Sequence, residues 1–214
     1  MNVLGFDTST SATAICVLRS DGEAFEVEPT TARLAEAPGH SRELMPGIGR
    51  LMRDSGLAFA DLDALAVGIG PGGFTGLRIG IATAHGLAQS AGIPLHPVRS
   101  LDALAAGIEG GEPYPLIDAK RNEVYGPGPF VGPIAEAVAR APEGALAAGD
   151  GSIRFREALE SAGIRVAPAD SRMHVVRGLY ICRLAATVQP APPESVVPCY
   201  LRAPDAKPRS PSGG

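Results

Sequence analysis

The chain has 214 residues, 45% of them apolar and 5% aromatic, with no tryptophan and a net charge of −4 at pH 7. That is material for one large core or two small ones, and an acidic balance with few rings does not suit a protein that grips nucleic acid unaided. No apolar run reaches the roughly 18 residues of a membrane span, and the opening MNVLGFDTST has no basic leader, so a cytoplasmic protein is expected.

Val3 to Phe6 reads as a short strand closed by Asp7, followed by the hydroxyl-rich run Thr8, Ser9, Thr10, Ser11. A returning strand, Ala12 to Leu18, ends at the turn Asp21-Gly22. Glu23 to Gly39 holds a third strand and a loop with Pro29 and Pro38. A helix is expected from an N-cap at Ser41 to Ser55, stopped by Gly56, with Pro46 kinking or restarting its first turn. Its apolar residues Leu44, Met45, Ile48, Leu51 and Met52 form one stripe. That stripe either seats the helix on its own sheet or, through two adaptable thioethers, offers a face to a partner.

Ala64 to Ile69 is a buried strand, cut off by the loop Gly70-Pro71-Gly72-Gly73-Phe74-Thr75-Gly76. From Leu77 to Ala91 a helix is expected whose apolar residues spread around most of its circumference, leaving Arg78, His85 and Gln89 as a narrow polar stripe. Such a helix needs cover on two sides. A partner chain is expected there, with Ala82 in the contact. The glycine loop has two readings: an anion cradle at the helix N-terminus, or a device for close helix approach, since it lacks the Lys-Ser/Thr ending of a P-loop.

Ile93 to Val98 is a further strand, Ser100 caps a short helix from Leu101 to Ala106, and Gly107 to Pro113 reads as a domain boundary. Pro115-Leu116-Ile117-Asp118 then repeats the opening pattern of an apolar run ending in aspartate, and Glu123-Val124-Tyr125 repeats the return. Two such hairpins suggest a duplicated unit whose halves face each other. Asp7, Thr8, Ser9, Thr10, Gly72 and Gly73 on one side, and Asp118 and Lys120 on the other, are then candidates for a nucleotide cleft, with a magnesium ion near Asp7. The alternative is a set of turns in which these side chains satisfy local backbone groups.

Gly126-Pro127-Gly128-Pro129 interrupts the next strand, so the second half looks cut down. Helices are expected over Ile134 to Ala141, Ile153 to Ala162 and Val175 to Val188, a strand over Leu146 to Ala148, and a disordered tail over Pro208 to Gly214. His40, His85, His96 and His174 are isolated, and Cys16, Cys182 and Cys199 have no Cys-x-x-Cys spacing, so no metal site or disulfide framework is expected.

The run GPGGFTGLRIGIATAHGLA, the segment IDAKRNEVY and the closing Cys199-Tyr200-Leu201-Arg202 resemble the TsaB family. That family is the non-catalytic subunit of the bacterial machinery placing a threonylcarbamoyl group on a tRNA adenosine. The resemblance covers most of residues 1 to 125 and the region from 198 to 207. It implies an α/β, actin-like ATPase (RNase H-like) fold in two tandem lobes, 1–107 and a shortened 108–207, with a tail at 208–214. It implies a scaffold that orders the catalytic subunit TsaD and helps dock the ATPase TsaE, meets tRNA only through that complex, and forms a homodimer alone. The helices Ser41 to Ser55 and Leu77 to Ala91 are the expected contact. In the catalytic relatives a His-x-x-x-His pair binds metal; the corresponding positions here are Ser100 and Leu104, so a metal centre is not expected. No tightly bound cofactor is implied, with ATP or ADP left open at the cleft or the complex interface. The rivals are an ATP-dependent phosphotransferase working at Asp7 and Asp118, a glycoprotease-like metallopeptidase, and a self-contained homodimeric binding module.

Overall fold

The computed structural model describes residues 1–202; the tail expected at 208–214 lies outside them. β1 (Val3–Asp7), β2 (Ala14–Leu18) and β3 (Ala24–Val27) make an antiparallel meander. α1 (Thr31–Leu34) and α2 (His40–Asp54) follow, then β4 (Ala64–Gly68), α3 (Phe74–Ala91), β5 (Leu95–Val98) and α4 (Ser100–Ala105). β4 pairs parallel to β1 and β5 parallel to β4, so the five strands run in the order β3-β2-β1-β4-β5. β1 and β4 are buried along their whole length, as expected of apolar strands covered on both faces.

α2 begins one residue before the expected cap, on Gly39 rather than Ser41, and runs unbroken through Pro46 to Asp54. Leu44, Ile48, Leu51 and Met52 are all buried in one cluster with Leu4, Phe6 and Ile15 of the sheet. The stripe is therefore the seam between α2 and its own sheet, and these four side chains are not available to a partner while the lobe is folded. Met45, which is 50% exposed, is the member that points away.

α3 is covered more by its own chain than its composition suggests. Gly76, Leu77, Gly80, Ile81, Ala84 and Ala88 are buried, Ile81, Ala84 and Ala88 in one cluster with Phe6, Leu65 and Val67 of the sheet and the two glycines close against Thr8. One flank receives residues 193–200: His85 Nε2 lies 2.9 Å from the Val196 carbonyl, and Arg78 Nε donates to the Tyr200 hydroxyl at 3.1 Å. Two of the three polar-stripe residues are thus engaged within the chain, while Gln89 stays exposed. What remains open on α3 is a strip of small residues, Ala82 and Gly86 among them, with Ile79 and Thr83 half-covered. Gly92 closes the helix in the left-handed conformation, φ 66°, which a residue without Cβ adopts freely.

The second lobe has two small sheets. β6 (Glu112–Pro115), β10 (Ala145–Ala148) and β11 (Arg165–Val166) pair in parallel. β7 (Ile117–Asp118), β8 (Glu123–Gly126) and β9 (Phe130–Pro133) form an antiparallel sheet. The segment 126–129 is therefore a tight turn into a third strand, not an end to pairing. α5 (Ile134–Arg140), α6 (Asp150–Arg154) and α7 (Arg156–Ser161) complete the lobe around Tyr114, Leu116, Val124 and Leu159. The helix expected over 153–162 is broken into two short ones at Phe155.

The chain then crosses back. α8 (Gly178–Ala185), shorter than the expected 175–188, packs on the first sheet, with Ile181 and Cys182 clustered with Val3, Cys16, Ala64 and Ala66. Gly178 sits against the backbone of Cys16, where a Cβ would collide. Arg177 Nε donates to Glu26 of β3 at 3.1 Å, and the Leu179 amide to the other oxygen of that carboxylate at 3.0 Å. Val176, Ile181, Cys182 and Ala185, which lie in the stretch expected to belong to the second lobe, thus pack on the sheet of the first. Cys16 and Cys182 are buried packing residues, the Cys182 thiol donating to the Val3 and Cys16 carbonyls.

Candidate functional site

The tip between β1 and β2 is knitted from within. Asp7 is fully buried and accepts from the Ser9 amide at 2.8 Å, the Ser9 hydroxyl at 2.6 Å and the Ser100 hydroxyl at 2.5 Å. Burial pushes its carboxyl above the usual range, and those hydrogen bonds hold it back. Ser100 also accepts from the Gly70 amide at 3.0 Å, so one hydroxyl joins β1, the glycine loop and α4. Leu104 lies in the apolar interior one turn further along.

The glycine loop packs against this tip. Thr8 Oγ1 donates to the Gly76 carbonyl at 2.8 Å, and the Gly73 amide to the Ser9 carbonyl at 2.7 Å. A Cβ at Gly72 would strike the Ser9 carbonyl, and one at Gly76 the Thr8 carbonyl. Close approach of loop and hairpin is what these glycines provide.

Between the lobes lies a cleft of about 860 Å³. It brings together Thr8, Ser9, Thr10, Gly72 and Gly73 from the first lobe and Asp118 and Lys120 from the second. Asp7 lies beneath its floor. Asp118 accepts from Lys120 Nζ at 2.9 Å and from Arg154 at 2.8 Å, and its other contact, the Lys120 amide at 2.9 Å, closes the turn. Lys120, Arg121 and Asn122 all have positive φ, 61°, 51° and 61°. Three successive non-glycine residues in that region are costly, and such strain gathers where a surface is held in a set shape.

Four further residues line the cleft: His40 and Asp150, which no local pattern announces, and Tyr200 and Arg202 of the closing Cys199-Tyr200-Leu201-Arg202 motif, which are not expected there. His40, 3% exposed, lies 2.8 Å by Nδ1 from Thr13 Oγ1, whose hydroxyl donates to Glu43 at 2.7 Å. Burial lowers its pKa, with Asp7 and Glu43 opposing. Asp150, at the start of α6, accepts from the Asp118 amide at 2.9 Å; its pKa is raised to about 6, chiefly by burial. Tyr200 stacks on Phe74 with centroids 5.4 Å apart, and Arg78 lies 3.8 Å over the same ring. Arg202 donates to the Ala119 carbonyl at 3.0 Å and pairs with Glu123. Tyr200 and Arg202, two residues apart, therefore fasten onto opposite lobes.

The described residues contain no group of three or more His, Cys, Asp or Glu placed to hold a metal ion. They also contain no helix long and apolar enough to cross a membrane.

A mixed five-stranded sheet with helices on both faces, facing a smaller lobe across a hydroxyl-lined cleft, defines an α/β protein of the actin-like, RNase H-like class. The profile of TsaD, tRNA N6-adenosine threonylcarbamoyltransferase, matches residues 32–131. YeaZ from Pseudomonas aeruginosa superposes with a TM-score of 0.72 at 27% identity, covering 92% of this chain and 100% of that one. An uncharacterised protein of Mycobacterium tuberculosis is 35% identical over 211 residues, 96% of this chain and 94% of its own. The Haemophilus influenzae tRNA threonylcarbamoyladenosine biosynthesis protein TsaB is 36% identical over 129 residues, which is 58% of this chain and 52% of that protein. The chain belongs to the TsaB, or YeaZ-like, family.

Proposed function

We propose that the chain is a non-catalytic subunit in the formation of N6-threonylcarbamoyladenosine in tRNA, binding and ordering a TsaD-type catalytic subunit and helping to dock a TsaE-type ATPase. One observation carries this reading. α3 keeps Ala82 and Gly86 open to solvent although its other faces are covered by the sheet and by residues 193–200, and Met45 of α2 is exposed as well. Small residues on an open helix allow another helix to approach closely. In the absence of TsaD the same surface serves a homodimer. Contact with tRNA comes through the complex, as the net charge of −4 gives this chain little hold on phosphate.

The test is co-purification with a TsaD-type subunit. Ala82→Arg should abolish it while the melting temperature stays within 1–2 °C of wild type, as expected for an exposed substitution. Retained co-purification overturns the assignment of this surface. Ile48→Ala and Leu51→Ala do not serve as interface probes, because each empties a core position at a cost of about 3 kcal/mol.

A nucleotide-dependent reaction at the cleft is the second reading, favoured by the volume and the hydroxyls of its first-lobe wall. Against it, Lys120 and Arg154 are paired with Asp118 and Arg202 with Glu123, which leaves weak attraction for a triphosphate. Calorimetry with ATP and magnesium on the isolated chain separates the two readings; saturable binding with turnover would support the enzyme.

A further inference from the structure

The first lobe carries a second hollow, of about 670 Å³, where α2 crosses the outer strand of its sheet. Its floor is apolar, formed by Ile15, Val27 and Pro29, and no residue of α3 lines it. Gly47 sets the depth, because a Cβ there would meet the Ile15 side chain. β3 pairs with β2 alone, so its outer edge leaves main-chain donors and acceptors unpaired with any strand. Natural sheets usually blunt such an edge.

Charge around the hollow is uneven. Glu28 is held by Arg172 and Arg177, and Glu43 by Thr13 and Arg33. Arg50 and Arg53, exposed and one turn apart on α2, have no ion-pair or hydrogen-bond partner among the described residues. Two open guanidinium groups above an apolar floor and a bare strand edge fit a ligand with carboxylates, an apolar anchor and a free main chain. A polyphosphate backbone would need a wider basic field.

We infer that this groove receives an extended acidic segment of a partner protein. The segment adds to β3 as a sixth strand, seats an apolar side chain on Ile15, Val27 and Pro29, and sets a carboxylate against Arg50 and Arg53. This surface is separate from the one proposed for TsaD, so failure at either site leaves the other untouched.

Fluorescence anisotropy on the full chain with a labelled peptide of alternating valine and glutamate tests it. Saturable binding is expected, together with slowed hydrogen exchange in residues 24–27. The double variant Arg50→Glu, Arg53→Glu should weaken binding at least tenfold. Because both positions are exposed, its thermal unfolding should match wild type, which separates lost binding from lost folding. A peptide with alternate amides N-methylated, unable to complete the ladder, should also lose at least tenfold, and a valine–lysine peptide should not bind. No saturable binding, equal binding by the charge-reversed variant, or displacement of the peptide by polyuridylate at lower concentration would each overturn the inference.

Discussion

Asp7 and Asp118 hold corresponding places, each ending an apolar strand that turns back into a hairpin, yet their surroundings differ. Asp7 is sealed, its oxygens taken by Ser9 and by Ser100, 93 residues away in sequence. Asp118, whose side chain is 9% exposed, borders the cleft and is neutralised by Lys120 and by Arg154, 36 residues away. A strand ending in aspartate fixes where the carboxylate sits; distant partners decide whether it is a strut or a surface that can meet a ligand.

The largest test of this difference is Asp7→Ala. It strands the Ser9 amide and the Ser100 hydroxyl in a dry interior, and about 3 kcal/mol of stability should be lost in denaturant unfolding. Asp150→Asn probes the open tip and keeps the acceptor for the Asp118 amide. The folded-state pKa of Asp150 is raised to about 6, above the ordinary carboxylate value, so its contribution to stability is present in acid and is lost as pH rises through 6. The asparagine variant should therefore match wild type near pH 4 and exceed it at pH 8 by on the order of 2 kcal/mol, read as the unfolding midpoint at each pH. Ser100→Ala should come next, at about 1.5 kcal/mol, since the Gly70 amide and Asp7 each lose a partner. Asp118→Ala should cost least, below about 1 kcal/mol and less in high salt, because the cations it releases reach solvent. A cost at Asp118 as large as at Asp7 would erase the distinction between the two tips.

Much of the first lobe was legible because its signals are local. The apolar runs of β1, β2 and β4, the glycine loop and the end of α3 at Ala91 follow from residues within a few positions of one another, although α3 starts at Phe74, three residues before the expected Leu77. The stripe on α2 announced a buried face, but periodicity does not say what buries it; the chain's own sheet covers Leu44, Ile48, Leu51 and Met52. The cover over His85 and Arg78 comes from residues 193–200, too far along the chain for any pattern to connect. Gly126 to Pro129 looked like a break because glycine and proline end strands, whereas the same residues make the turn into β9. His40 and Asp150 stand alone in sequence, and only folding brings them to the cleft.

The return of α8 to the first sheet bears on how the molecule is made. A ribosome releases the first lobe early, and its strands can pair before the second lobe exists. One side of that sheet nevertheless stays bare until Ile181 and Cys182 arrive to cover Val3 and Cys16. Nascent chains stopped short of residue 178 should therefore carry a sticky half-finished sheet, and premature termination there should yield a client for chaperones rather than a smaller stable protein.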